Sequence, residues 1–290
     1  MHMIKNPDKQ STSIDISWPY WQDYRCLLRQ LFSQPESASE FACPNLPGTD
    51  QLNALMTVPA VTHSNRPVRF VPADTLPANA YEQHIFNSGE ISTRKDNWHD
   101  VFNALVWARF SQTKLAMNAL HNAEIKAASK TSRGPVRDAL TLFDECGVVV
   151  IADQEPPLQA MLERDWETLF LTLRSSWQKH IRVFVFGHAL LEKFLQPYKS
   201  ITAQALVYSC PSGFMQLDRS TQRRLLDDSL AGQINTGRRL RSSAELSPLP
   251  LMGIPGWQSE GLQDEVYYAD KKVFRAPAPG HQPAPLLSIE

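Results

Sequence analysis

Ile181-Arg182-Val183-Phe184-Val185-Phe186-Gly187-His188-Ala189-Leu190-Leu191-Glu192-Lys193-Phe194-Leu195 is the stretch that decides the fold. Its first six residues are mostly β-branched or aromatic, the composition of a buried strand. Gly187 then changes the period. The spacing from His188 to Leu195 predicts a helix, which Pro197 stops. A further strand is predicted over Ile201–Tyr208. Strands interleaved with helices predict an α+β (mixed α/β) domain rather than a helical bundle.

Working outward, Val148-Val149-Val150-Ile151 reads as another strand. With Leu140–Phe143 it flanks Asp144-Glu145-Cys146-Gly147, a pattern that predicts a β-hairpin with Gly147 at a positive φ. Asn97 followed by Asp100 approximates a capping box, and Trp98, Val101, Phe102, Leu105 and Val106 recur at helical spacing. A break near Ser111 separates that helix from a second over Thr113–Ala128, so a long helical hairpin is expected on a small mixed sheet.

The remaining elements read as a helix from Trp18 to Phe32 capped by Ser17, a short helical turn over Leu52–Met56, a strand at Val68–Val71, a helical stretch over Leu158–Lys179 and an Arg- and Asp-rich helix over Leu217–Ile234. Tyr81–Asn87 is ambiguous. Lys130–Pro135 reads as a loop, and Tyr267, Tyr268, Val273 and Phe274 as a last short strand. One globular domain is expected over 17–276, after a flexible lead-in at 1–16 and before a mobile Pro/Ala-rich tail at 277–290.

The chain has 290 residues, enough for a core that buries roughly three quarters of the unfolded surface. Apolar residues make up 42% and charged residues 20%, which is globular composition. A net charge of −1 argues against a whole-domain electrostatic grip on nucleic acid. Cys26, Cys43, Cys146 and Cys210 are scattered with no CxxC pair, so reduced thiols are expected and a zinc ribbon is not. The polar start lacks the apolar core of a secretory signal, and no apolar run approaches the roughly 18 residues of a membrane span. A cytoplasmic protein is expected.

Several segments together carry a resemblance: Tyr81-Glu82; Gly89, Thr93 and Arg94; Asn97-Trp98-His99-Asp100; Phe102-Asn103-Ala104-Leu105 with Trp107; Phe110, Lys114, Asn118 and His121; Arg137 to Glu145; Gly187-His188-Ala189-Leu190 with Glu192-Lys193; and Pro248-Leu249-Pro250 with Gly253-Ile254-Pro255-Gly256-Trp257. From about Pro67 to Arg275 the chain resembles the proteobacterial domain of unknown function 3025 family. Ser111 departs from the pattern, which leads one to expect proline after Phe110. The resemblance implies a bacterial, intracellular setting and brings no activity, substrate or cofactor with it.

The residues suggest chemistry at three places. His99 and Asn103 share one helix face, as do Lys114, Asn118 and His121 on the next helix. Where these stripes meet, a metal or anion pocket is one reading; the other is plain capping and hydrogen-bond satisfaction. His188 and Glu192 stand four apart in a helix just after a strand, where α/β proteins often place ligands. Asp144 and Glu145 offer paired carboxylates, or simply the acidic residues of a turn.

The expected site therefore takes metal ligands from His99, His121 and His188, and catalytic carboxylates from Asp144, Glu192 and Asp100. Asn103, Lys114, Asn118 and Arg137 are the substrate-binding candidates. Imidazole with carboxylate suits Zn²⁺, Mn²⁺ or Fe²⁺. The arginines at 219, 223, 224, 238, 239 and 241 read as a solvated, salt-bridged surface. No GxSxG, P-loop, GxGxxG or HExxH motif occurs. Two functions stay open: a metal-dependent enzyme, hydrolytic by preference, with a small-molecule ligand; or a non-catalytic binding or scaffold protein whose polar residues are structural.

Overall fold

Gly147–Ala152 (β5) is buried along its whole length: both of its edges are paired and helices pack against it. On one side runs Ile181–Val185 (β6), antiparallel, with Val149 opposite Phe184. On the other runs Thr202–Ser209 (β7), parallel, with Val150 opposite Val207. In this computed structural model the described residues are 12–57, 59–73, 80–127, 134–177, 179–259 and 261–289.

The chain begins there with β1 (Thr12–Asp15), α1 (Arg25–Leu31), β2 (Glu40–Cys43), α2 (Thr49–Asn53), β3 (Arg69–Pro72), α3 (Tyr81–Ser88) and β4 (Glu90–Thr93). Helices α4 (Trp98–Arg109), α5 (Ser111–Ala127) and α6 (Pro135–Cys146) precede β5, and α7 (Glu155–Glu163) lies between β5 and β6. After β6 come α8 (His188–Lys193), β7, α9 (Arg219–Asn235), β8 (Ser247–Pro250), α10 (Glu265–Tyr268) and β9 (Leu287–Ser288). The main sheet has the order β6-β5-β7-β8, and β9 pairs with the far end of the β7 edge that β8 uses. Two small sheets, β1-β2 and β3-β4, complete an α+β fold.

The expected pair of helices is α4 and α5, which meet at Phe110. Asn97 caps α4 by accepting from the Asp100 amide at 3.1 Å. The start of α5 is capped from a distance: Asp227 of α9 accepts from the Gln112 and Thr113 amides at 3.1 and 2.8 Å. Helix α4 packs on α8, while α5 packs on α9, α3 and α6. An aromatic cluster holds α8 in place, with Phe194 stacked on Tyr20 at 4.4 Å and Tyr20 edge-on to Trp257 at 5.7 Å. Tyr24 donates to the Val185 carbonyl at 2.7 Å, tying the N-terminal segment to the end of β6.

Several expectations are corrected. Leu140–Phe143 is no hairpin strand: Val136, Ala139, Leu140 and Phe143 are the buried stripe of α6, spaced at i, i+3, i+4 and i+7. Tyr267 and Tyr268 belong to α10, whose start Asp264 caps by accepting from the Tyr267 amide at 2.8 Å. The segment from Trp18 to Phe32 is a 3₁₀ turn at Pro19–Trp21 followed by the shorter α1. Of the expected lead-in, residues 12–16 are built into the fold, since Ile14 and Ile16 are buried and β1 pairs with β2. The tail is anchored too. Leu287 is 1% exposed, and Ile289 donates to the Ser209 carbonyl at 3.2 Å. Apolar side chains at both ends find core space that their polar neighbours disguise. Residues 1–11 of the lead-in and 130–133 of the expected loop lie outside the described residues. No described helix is long and apolar enough to cross a membrane.

Candidate metal centre

Two chain corners meet at one end of the sheet. At the first, α6 runs into β5 through Glu145, Cys146 and Gly147. At the second, β6 runs into α8 through Phe186, Gly187 and His188. The Gly147 carbonyl accepts from both the Phe186 and Gly187 amides, at 3.0 and 2.7 Å. A Cβ on Gly187 would sit 2.5 Å from the Glu145 carbonyl oxygen and 2.6 Å from the Gly147 nitrogen, so only glycine permits this approach. It places Glu145, in the last turn of α6, beside His188, in the first turn of α8. Helix α4, packed on α8, adds His99.

Three donor atoms then converge. His99 Nε2 lies 2.8 Å from His188 Nε2, His188 Nε2 lies 3.6 Å from Glu145 Oε2, and His99 Nε2 lies 3.9 Å from the same oxygen. A triangle with those sides has a point about 2.0 Å from all three corners, which is about the bond length of zinc to imidazole nitrogen or carboxylate oxygen. One imidazole has an acceptor on its other side, and the other has a carboxylate nearby but no hydrogen bond to it. His99 Nδ1 donates to Glu192 Oε2 at 3.0 Å, and His188 Nδ1 faces Asp144, with Oδ2 at 3.9 Å. An outer carboxylate hydrogen-bonded as Glu192 is favours the tautomer that presents Nε2 as a bare lone pair.

The electrostatics suit this at His188 and Asp144 and oppose it at His99 and Glu145, whose raised pKa values favour the protonated forms. Burial pushes His188 down to about 4, so the ring is neutral near pH 7. Burial alone would also lower His99, but the Glu192 hydrogen bond and the charges of Glu145 and Glu192 outweigh it and raise its pKa. Burial raises Glu145. Burial would raise Asp144 likewise, yet the nearby Lys114 ammonium, helped by His188, carries it below the usual carboxylate range.

Behind the triangle lies a second polar layer. Lys114, 7% exposed, donates to Asp144 Oδ1 at 2.6 Å and to Asn103 Oδ1 at 3.0 Å. Asn103 in turn donates to the Tyr81 hydroxyl at 3.1 Å. Asn118 donates to Glu82 Oε2 at 2.6 Å. His121 is buried beside a cavity of about 10 Å³ that Lys114, Asn118 and Asp144 also line, room for about one water.

Of the residues singled out in the sequence, the structure thus joins His99 and His188 directly and sets Glu192, Asp144, Lys114 and Asn103 around them. His121 and Asn118 stand behind, outside the donor triangle. Asp100 is turned to Arg94, with Oδ1 2.7 Å from Nη2 and Oδ2 2.6 Å from the Arg94 amide. Arg137 sits in the first turn of α6, about two turns from Glu145. Glu145, the third donor, stood outside the expected ligand set, because a hairpin reading makes Asp144 and Glu145 the acidic residues of a turn. The apolar spacing of Val136, Ala139, Leu140 and Phe143 was the signal that would have placed it on a helix end.

The arginine surface is also partly corrected. Arg219 turns inward to Asp23 with hydrogen bonds of 2.8 and 2.7 Å, and Arg223 donates to the Arg109 carbonyl. Arg241 does reach Glu124, at 3.3 Å, as a surface pair.

No curated protein and no solved structure matches the chain. A family model described as a protein of unknown function (DUF3025) matches residues 68–277, which hold all of the cluster from Tyr81 to Glu192. That match spans most of the sequence, and the chain belongs to the DUF3025 family.

Proposed function

We propose that the protein is a metal-dependent hydrolase that holds one Zn²⁺, Mn²⁺ or Fe²⁺ ion between His99 Nε2, His188 Nε2 and Glu145 Oε2. The observation that carries this reading is the donor triangle, with Glu192 accepting from the far side of His99. Three protein ligands leave coordination positions open, as catalytic sites do and closed structural sites do not. The solvent side supports this, since the side chains of His99, Glu145 and Glu192 are 30%, 39% and 46% exposed. Two nitrogens and one oxygen suit these ions rather than Ca²⁺. A bound ion of this kind polarises a phosphoryl or carbonyl oxygen and makes water a nucleophile near neutral pH. Glu192 orients the His99 ring, Asp144 puts a negative charge beside His188, and Lys114 holds Asp144. A cytoplasmic protein fits this reading, since all four cysteines are free thiols.

A non-catalytic binding role is favoured by one observation, the smallness of the cavity behind the cluster. The two readings separate by experiment. Protein purified without chelator should carry near-stoichiometric metal that His99→Ala, His188→Ala and Glu145→Gln each lose. It should hydrolyse a chromogenic phosphate or carboxylic ester in a metal-restorable way. Metal binding with no turnover of either ester would leave the binding role. Wild-type protein that is metal-free and gains no thermal stability from added divalent ions would end the metal reading, because a ligand specific to the folded state must raise its stability.

A further inference from the structure

The opposite end of β6 carries a second, unrelated cavity. A groove of about 430 Å³ lies between the first residues of β6, the segment around Pro19, the first turn of α9 and the loop at Trp257. That volume is in the range of small-ligand sites. It is on the order of 15 Å from the metal cluster, the length of a five-residue strand.

The groove concentrates positive charge. Arg25, Arg182 and Arg219 line it, and among the described residues none of its lining is acidic. Each guanidinium is held in place rather than left loose. Arg219 makes a two-pronged pair with Asp23 at 2.8 and 2.7 Å, donates to the Val183 carbonyl at 2.6 Å and lies 3.9 Å over the Phe184 ring. Arg25 donates to the carbonyls of Ile16, Ser17 and Trp18 at 2.6, 2.5 and 3.1 Å. Arg182 donates to the Ile181 carbonyl at 3.1 Å and to the Met215 carbonyl at 3.5 Å. Nη1 of Arg25 and of Arg219 has no hydrogen-bond partner among the described residues.

Backbone carbonyls fix a guanidinium without neutralising it. The three positive charges stand on the lining, whereas Asp23, paired with Arg219, and Asp15 and Asp153, near Arg25 and Arg182, stand outside it; the face turned to the groove is the one that suits the charge of roughly −2 on a phosphate monoester. Several preset forks converging on one space suit a phosphate, whose three oxygens can be met from different sides, better than a carboxylate, which one fork saturates. Asp23 already shows the carboxylate arrangement on Arg219. The groove is also larger than a bare anion needs, and its lining includes the buried side chains of Trp177, Ile181 and Trp257, an apolar surface for an organic group.

We infer that this groove is a binding site for a small organic phosphate monoester, its phosphate among Arg25, Arg182 and Arg219 and its organic part over Trp177 and Trp257. It needs no metal and does not depend on the hydrolase reading.

The test is titration calorimetry of the full chain with AMP, ribose 5-phosphate and inorganic phosphate, repeated with Arg182→Gln and Arg182→Lys after each variant's thermal melt shows that it folds. The two esters should bind saturably in the micromolar to millimolar range, more tightly than inorganic phosphate and more weakly as salt is raised. Arg182→Gln should weaken them about tenfold to a hundredfold, the usual effect of losing charged hydrogen bonds. Arg182→Lys should recover only part of that, since a point charge lacks the fork. AMP binding more tightly than ribose 5-phosphate would place the base on the indole surface; equal affinities would place the sugar there. The inference is overturned if neither ester binds saturably, if inorganic phosphate binds as well as both, or if Arg182→Gln leaves their affinities unchanged.

Discussion

Gly187→Ala is the sharpest probe of how the fold builds the cluster. The added methyl would stand 2.5 Å from the Glu145 carbonyl oxygen, 2.6 Å from the Gly147 nitrogen and 2.7 Å from the Cys146 Cα. All three are backbone atoms, so no side chain can rotate away. Restoring an ordinary contact near 3.5 Å requires the two corners to part by about 1 Å. Overpacking of this kind costs about 1–3 kcal/mol, and replacing a glycine N-cap by alanine adds a few tenths to about 1. The same shift stretches the 3.6 Å gap between His188 Nε2 and Glu145 Oε2, so the three donors no longer fit one ion at about 2 Å. Urea unfolding should therefore show a loss of about 2–4 kcal/mol with an unchanged slope. Metal content should fall well below that of the wild type. Gly232→Ala is the control: its Cβ meets nothing within 4 Å inside α9, and it should stabilise by about 0.5–1 kcal/mol. A Gly187→Ala protein with wild-type midpoint and full metal would refute the idea that this glycine corner positions the site.

Burial raises Asp227 to about 6, against hydrogen bonds from Thr113 that favour its charged form. Because the folded pKa lies above the unfolded one, its contribution is fully present below about pH 4 and is lost as pH rises through 6. The stability of Asp227→Asn relative to wild type should thus rise by about 3 kcal/mol across that window, and a flat difference would show that Asp227 does not titrate there. Lys114→Met strands Asp144 without its buried counter-charge and should cost about 3–5 kcal/mol, much of which Asp144→Asn added to it should recover; equal losses in single and double variants would contradict the pairing. Leu287→Ala, on a strand that seals the end of β7, should cost about 2–5 kcal/mol in thermal or urea melts, whereas a free tail would show no change.

Much of this protein is written locally. The caps at Asn97 and Gly187, the apolar runs at 148–151 and 181–185 and the break at Phe110 are set by nearest neighbours, so periodicity alone finds them. His99, His188 and Glu192 were visible because rare polar types stood at helical spacing. Short-range pattern fails where one signal serves two structures. Leu140-Thr141-Leu142-Phe143 alternates like a strand, and only the longer stripe from Val136 makes it the end of a helix. Ile14 and Leu287 look like strays in polar surroundings until β2 and β7 supply edges for them. The meeting of Glu145 with two imidazoles depends on contacts reaching 46 residues from Glu145 and 89 from His188. Whether three donors share one point is decided by the close approach of two backbones at Gly147 and Gly187. That is a property of tertiary packing, because a chain's local propensities set which way each helix turns but not what stands opposite it.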